Sequence, residues 1–321
     1  MIKIADFFSG IGGISAGFIQ ANKNFVTVFA NDADKYCKQT YDSNHNIKLT
    51  LGNIQTLDIN GIPDFDVFCG GFPCQPFSLA GDKKGFDDSR GQVFFDIIKI
   101  LKIKKPACIF LENVKNLVTH DKKNTFNTIK KELENLGYTL NFKVLNSCDY
   151  GNVPQNRERI YIIGFLNSDV CFEFPEPIKK TMMIRDCLEN KVDECFYYKQ
   201  TDSIYPKLRE INMQKDVMYQ YRRYYIRENK SNLCPTLTAN MGTGGHNVPI
   251  IIENSRYRKL SPRECFNFQG FPSTFILPTN LSNSQLYKQA GNSVTVPVIK
   301  RLAEKIYDCL KSKDEQSLDI E

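Results

Sequence analysis

Four short stretches of this chain carry residue types that do chemistry when a fold brings them together. The stretch GGFPCQPFS at 70–78 holds Cys74 between Pro73 and Pro76, on a loop that proline keeps stiff and non-helical. A cysteine in a proline turn is ordinarily a packing residue, so position must decide its role. LENV at 111–114 sets the carboxylate of Glu112 at the end of an apolar run, and QNRERI at 155–160 offers Arg157 and Arg159. Arginine forks suit a phosphate or a carbonyl oxygen. DFFSGIGG at 6–13 is glycine-rich, and Asn31 and Asp32 follow about 20 residues on. Glycines let backbone approach a ligand closely, and a carboxylate at that spacing accepts from ribose hydroxyls. The pair points to a nucleotide-like cofactor. A dinucleotide fingerprint needs a third glycine where Ser15 stands, which favours S-adenosylmethionine without excluding a dinucleotide.

These residues need elements to hold them. Strand-like runs occur at 2–8, 25–31, 48–51, 66–69, 107–111, 141–145 and 159–165, alternating with helical patterns. Phe94, Ile97, Ile98 and Leu101 share one helical face, as do Ile129, Leu133 and Leu136 before a stop at Gly137. Alternation of this kind predicts a doubly wound, Rossmann-like α/β sheet. Ligands gather at the carboxyl ends of such strands, where Cys74 and Glu112 fall; the segment 79–91 has the character of a lid. The alternation stops near Cys171, and a polar, tyrosine-rich stretch follows. Helical spacing returns at Val296, Ile299, Leu302, Ala303, Ile306 and Leu310, just after GNS at 291–293. The expected organisation is a cofactor-binding domain of 1–172 plus 287–313, an inserted domain of 173–286 and a frayed tail of 314–321.

Composition narrows the class. With 41% hydrophobic and 24% charged residues the chain is ordinary globular protein. It has no apolar run long enough for a bilayer, and MIKIADFF is strand-like and unlike a signal peptide. The expectation is a cytoplasmic protein, without membrane contact. Eleven cysteines and three histidines, with no CxxC pair, argue against a metal site and against a disulfide framework. The net charge of +6 is compatible with a polyanionic partner and decides nothing alone.

The blocks FSGIGG, GGFPCQPFS, ENV, QNRERIYIIG, RKLSPRECFNFQGFP and YKQAGNSV, in this order along nearly the whole chain, resemble the DNA cytosine-5 methyltransferases. The likeness is to the compact bacterial enzymes of restriction–modification systems. It implies that Cys74 is the covalent nucleophile and that Glu112 contacts ring nitrogen 3 and the amino group of cytosine. Arg159 would bind the base oxygen, with Arg157 steadying the same pocket. Carbon 5 of cytosine is too poor a nucleophile to be methylated unaided, and thiolate addition at carbon 6 activates it. For S-adenosylmethionine the resemblance implies Phe8, Gly10, Ile11, Gly13, Asn31, Asp32, Asn53, Ile54, Pro73, Val93, Asn292 and Val294. Two positions depart from the pattern: Ala33 replaces a frequent aromatic, and Asn53 a frequent aspartate.

The same resemblance implies double-stranded DNA as partner, with the target base flipped out of the stack. The 173–286 segment would recognise the target sequence. Its run YQYRRYYIR at 219–227 is basic and aromatic, as phosphate and base-edge contact requires. DNA contacts are expected from Gln75, Ser78, Arg90, Arg222, Arg223, Arg227, Thr236, Leu237 and His246. A monomer suffices, and a companion nuclease would be encoded separately. A tRNA cytosine methyltransferase and a catalytically silent DNA-binding protein are the alternatives. A dinucleotide oxidoreductase would explain only the glycines.

Overall fold

The computed structural model describes residues 1–73, 92–222, 224–229, 231–241 and 248–318, with backbone alone for Gln92 and 312–318. Two compact units are present. The first comprises Met1–Leu145, Glu158–Pro175 and Ile299–Glu321, and the second Asn146–Arg157 and Glu176–Val298.

The first unit is built on strands β1 (Ile2–Phe7), β2 (Phe25–Asp32), β3 (Thr50–Leu51), β4 (Val67–Gly71), β5 (Cys108–Val114), β6 (Thr139–Asn146) and β7 (Glu158–Phe165). They form one seven-stranded sheet in the order β3-β2-β1-β4-β5-β7-β6. Pairing is parallel from β3 to β5, and β7 runs antiparallel to β5. The doubly wound α/β fold is thus present. Between β1 and β4 the winding reverses, which opens a crevice at the carboxyl ends of those strands. Strand β5 continues three residues past the expected 107–111, so Glu112 lies inside a paired strand.

Helices α1 (Gly13–Ala21), α2 (Lys35–Asp42), α3 (Gln92–Lys104) and α4 (Asn124–Asn135) accompany this sheet. Asp34 caps α2 by accepting from the N–H groups of Tyr36 and Cys37. Beyond α4 the chain turns at Gly137, whose φ of +92° suits a residue without Cβ. The expected apolar faces are buried: Phe94, Ile97 and Leu101 from α3 join Ile129 and Leu133 from α4 in a core that includes Phe7 and Phe68. Phe7 and Phe68 stack at 4.6 Å between centroids, locking β1 to β4.

The second unit holds α5 (Ser147–Tyr150), α6 (Tyr205–Arg209), β8 (Tyr219–Arg222), β9 (Tyr225–Glu228), β10 (Ile250–Glu253), β11 (Arg256–Lys259), α7 (Pro262–Phe268) and α8 (Asn283–Asn292). Its four strands form a sheet ordered β11-β10-β8-β9, antiparallel throughout. Helix α9 (Val296–Leu318) starts in this unit and continues in the first. No described helix is long and apolar enough to cross a membrane.

A fully buried arginine organises the second unit. The Arg258 guanidinium donates twice to Glu264 at 2.8 Å and also to Glu253 at 3.0 Å. Glu264 further accepts from the backbone N–H of Ser261 at 2.8 Å and of Glu189 at 3.0 Å. Every charge in this cluster is paired, which is what burial of charge demands. Removing one member strands the others. Arg258→Ala is therefore expected to cost about 3–5 kcal/mol, read as a lowered urea midpoint for the second unit. An unchanged midpoint would show that the carboxylates find other partners.

Candidate active site

At the carboxyl edge of the first unit's sheet, β1 and β2 end side by side, with Phe7 opposite Asn31. The chain then turns through Phe8 and Gly10, both at φ +54°. A left-handed Phe8 is unusual, and it fixes the direction in which the turn leaves the strand. The Gly10 N–H donates to Asp32 Oδ2 at 2.8 Å, and the Asp34 N–H to Oδ1 at 2.8 Å. Each Asp32 oxygen thus keeps capacity for a further donor. Burial raises the Asp32 pKa, and these backbone donors oppose the rise. Asn31 acts differently: its buried amide donates to the Thr50 and Gly52 carbonyls, both at 2.9 Å. It ties β2 to the loop that carries Asn53 and Ile54. Ile54 is buried, while exposed Asn53 accepts from the Gln55 N–H at 3.1 Å.

Beneath the turn lie groups that sequence reasoning did not single out. Asp6 Oδ2 accepts from the Ser15 hydroxyl at 2.7 Å, pinning α1 to β1. Its carboxyl is wholly buried, which pushes its pKa up to about 7 against the pull of the Ser15 bonds. His45 stacks on Tyr41 at 4.1 Å and places Nε2 3.1 Å from the Ile11 carbonyl. Burial lowers its pKa, so the ring is neutral and donates to that carbonyl. A Cβ on Gly12, whose φ is +83°, would lie 2.1 Å from His45 Nε2. Glycine is therefore required there on two counts. The only sequence signal was the scarcity of histidine.

Farther along the same edge, Gly71 of β4 pairs with Glu112 of β5, which pairs with Tyr161 of β7. Arg159 lies opposite Val114, so it is the diagonal neighbour of Glu112 on one face, within reach of a long side chain. The Arg159 Nε is 3.1 Å from Glu112 Oε1. That contact is an ion pair without hydrogen-bond alignment, and Oε1 is buried with no hydrogen-bond partner among the described residues. A Cβ at Gly71 would come within 3.5 Å of Glu112 Oε2, so glycine there leaves room beside the carboxylate. Asn113 donates to the Phe72 carbonyl at 2.9 Å, fixing the segment that leads to exposed Pro73. Val93 is half-buried on α3.

Cys74, Gln75, Ser78, Arg90, Arg223 and His246 lie outside the described residues. Burial raises the thiol pKa of Cys69, Cys108, Cys234 and Cys265 well above the usual range, so these stay protonated. Among the described residues no cluster of acidic, histidine and cysteine side chains is arranged to hold a metal.

Other expected site residues belong to the second unit. Arg157 is buried, donating to the carbonyls of Leu237 at 2.8 Å, Gly291 at 3.2 Å and Ser293 at 2.5 Å. Its guanidinium serves as a strut that ties the Leu237 segment to the end of α8. Leu237 is buried as well, and its N–H donates to Gln155 Oε1 at 3.1 Å. Thr236 is half-buried, with its hydroxyl donating to the Asn156 carbonyl at 2.7 Å. Asn292 ends α8 and is exposed, whereas Val294 is buried. Arg222 and Arg227 are exposed on β8 and β9.

The sequence matches the C-5 cytosine-specific DNA methylase family over residues 2–308. It is 53% identical to the type II methyltransferase M.Bsp6I of Bacillus sp. (strain RFL6), across 96% of this chain and 99% of that protein. Identity is 42% to the type II methyltransferase M.NlaX of Neisseria lactamica, across 99% and 100% of the two chains. Among solved structures, the Dnmt2 methyltransferase of S. pombe superposes with a TM-score of 0.78, covering 97% of this chain and 99% of that one at 22% identity. The chain belongs to the C-5 cytosine-specific DNA methylase family. It is a DNA cytosine-5 methyltransferase, and the family implies S-adenosylmethionine as methyl donor.

The buried Asp6 makes stability depend on pH. The folded chain keeps a proton up to about pH 7 that the unfolded chain releases near 3.8, so stability falls as pH rises between those values and is level above. Asp6→Asn retains an acceptor for Ser15 and removes the titration. Its urea midpoint relative to the parent is expected to improve from pH 5 to pH 8, by a few kcal/mol at most. A difference independent of pH would mean that Asp6 ionises normally.

Proposed function

We propose that this enzyme methylates carbon 5 of a flipped cytosine within a short specific duplex site, as the modification partner of a separately encoded restriction nuclease in the bacterial cytoplasm. The type II names of its relatives support the restriction–modification part. One observation carries the chemistry: a buried Glu112 oxygen without a hydrogen-bond partner among the described residues, beside the Arg159 guanidinium at the sheet edge. A cytosine ring offers complementary groups, an amino donor and a ring-nitrogen acceptor on one edge and a carbonyl oxygen next to them.

In this mechanism the Cys74 thiolate adds to carbon 6 of the base. The C6–S bond forms and the displaced electron pair makes carbon 5 nucleophilic. Glu112 accepts from the amino group and holds a proton at ring nitrogen 3, neutralising charge as it develops. Arg159 donates to the base oxygen. Carbon 5 takes the methyl group, then loses its proton as the C6–S bond breaks, which regenerates the thiolate.

The cofactor edge fits S-adenosylmethionine, which when bound supplies an electrophilic methyl group. Asp32 has acceptor capacity left on both oxygens for ribose hydroxyls. The N-cap residue of α1 makes no side-chain cap bond, and the Ser15 N–H is taken by Asp6 at 3.3 Å, so the Gly13 and Ile14 N–H groups and the helix dipole suit the methionine carboxylate. Space beyond Gly10 is open. Phe8, Ile11 and Ile54 supply apolar sides; the resemblance adds Asn292 and Val294.

Incubation with labelled cofactor and unmodified duplex DNA, followed by bisulfite sequencing, tests this reading. Methyl transfer is expected at carbon 5 within one short motif, and Cys74→Ser is expected to abolish it. Labelling of tRNA in place of duplex DNA would overturn the substrate, and amine methylation surviving Cys74→Ser would overturn the mechanism. Glu112→Gln is expected to lower kcat about 100-fold or more with DNA affinity little changed; equal losses in both would count against its role. Asp32→Ala should weaken cofactor binding by about 10- to 150-fold, measured by titration calorimetry without DNA.

A further inference from the structure

The second unit contains an open cleft of about 320 Å³ whose described lining carries amides, hydroxyls, a proline and two arginines, with no carboxylate among the described residues. Its floor is the β8–β9 ribbon. In the ribbon's register Tyr221 pairs with Ile226, and both face the unit's apolar core together with Tyr219. Strand side chains alternate between faces. Gln220, paired with Arg227, and Arg222, paired with Tyr225, therefore occupy the opposite face.

The polar groups around this cleft divide into two sets. Asn156 Oδ1 accepts from Asn146 at 2.8 Å, Asn229 donates to the Leu233 carbonyl, and the Thr238 hydroxyl donates to Asn240 at 2.7 Å. These groups frame the cleft with their bonds already made inside the protein. Gln220 differs. It is only 6% exposed, yet among the described residues its Oε1 has no hydrogen-bond partner. A buried acceptor left unmade is costly, and the amide torsion that would turn it towards the cleft is broad. Among the described residues, no ion-pair or hydrogen-bond partner holds the side chain of Arg222 or Arg227.

We propose that this cleft reads a G·C base pair through the major groove, with Arg227 on guanine and Gln220 on the amino group of the paired cytosine. The inference rests on the methyltransferase reading above and assigns its sequence specificity. A two-stranded ribbon fits the major groove. There a G·C pair presents two acceptors, N7 and O6, followed by one donor, the cytosine amino group. An A·T pair presents acceptor, donor and acceptor instead. The Arg227 fork supplies two parallel donors, and Gln220 Oε1 supplies an acceptor on the facing strand, about 5 Å away at Cβ. Donor, donor, acceptor complements G·C and clashes with A·T. Arg222, two residues along the same face, extends the row of donors, and neither arginine is neutralised by an acid in the lining.

The test uses the full-length enzyme once its recognised sequence has been mapped by bisulfite sequencing. Each guanine of that site is replaced singly by 7-deazaguanine, which lacks only the N7 acceptor, and each base pair is varied in turn. The parent enzyme is expected to lose about 5- to 150-fold in kcat/KM at one deaza position, the range for one bidentate base contact. Arg227→Ala should be insensitive to that replacement and should lose discrimination at that same pair. Gln220→Ala, with folding checked by circular dichroism, should relax the same pair. The cleft proposal is overturned if the parent tolerates 7-deazaguanine everywhere. It is equally overturned if Arg227→Ala weakens activity uniformly on all sequences, the mark of a phosphate contact. Those outcomes leave the methyltransferase reading intact, whereas a parent enzyme that methylates no DNA overturns both.

Discussion

Strand β7 runs against β5, so the residue at which β7 begins lies beside the residues at which β5 ends. The rest of the sheet is parallel from β3 to β5, and a parallel strand in this place would have put Arg159 at the opposite edge. One reversal of direction brings a guanidinium and the Glu112 carboxylate, distant in sequence, onto one face at the ligand-binding edge. Placing two charges there with little exposure carries a desolvation cost that a pair repays only with good geometry and further hydrogen bonds. The pair lacks one of those bonds, since Glu112 Oε1 has no hydrogen-bond partner among the described residues. In the proposed mechanism a flipped base supplies it, and part of the cost of burying the acid is then recovered as binding energy directed at the reacting ring.

Acids at this edge illustrate how surroundings assign roles to the same side chain. Asp6 and Asp32 stand at the ends of neighbouring strands. Asp6 is enclosed, with its pKa raised to about 7, and its hydrogen bonds go to Ser15. Asp32 receives a backbone donor on each oxygen and stays at the rim. Asp6 thus behaves as a fastening between β1 and α1, and Asp32 as a receptor. His45 and Gly12 complete the support, because the imidazole fills the space a Cβ would take and holds the Ile11 carbonyl. The turn is held from below by packing and left open above, where a ligand arrives.

Much of this was legible in the chain. All seven sheet strands of the first unit correspond to apolar or β-branched runs, and α3 and α4 follow the expected 3.6-residue stripes. The extension of β5 through Glu112 was not legible, because the apolar run stops at Leu111 and pairing with Gly71 of β4 and with β7 keeps the polar residues extended. Strand β3 shrank to two residues, its backbone being bonded instead through the Asn31 amide. The four-stranded sheet of the second unit was missed for a physical reason. Its strands are four residues each, too short for period-2 alternation to stand out, and a charged arginine is its centre. Arg258 looks like a surface residue in sequence; Glu253 and Glu264 lie five and six residues away, and only the β10–β11 pairing and the start of α7 bring both onto its guanidinium.

Arg157 and Arg159 show how far residue type carries an argument and where it stops. In sequence they are equivalent, two arginines separated by one residue. In the fold, Arg157 donates to three backbone carbonyls and has become framework, while Arg159 faces a carboxylate that still lacks a hydrogen bond. The distinction is one of surroundings: a guanidinium committed to backbone carbonyls holds the protein together, and one beside a carboxylate at the strand edge is placed to meet a ligand. A missing hydrogen bond alone is insufficient, since among the described residues Asp6 Oδ1 and the Thr27 hydroxyl are also buried without hydrogen-bond partners. Glu112 at the strand edge and Gln220 in an open cleft are the two to which the proposals above give separate tasks, chemistry on one base and recognition of its neighbours.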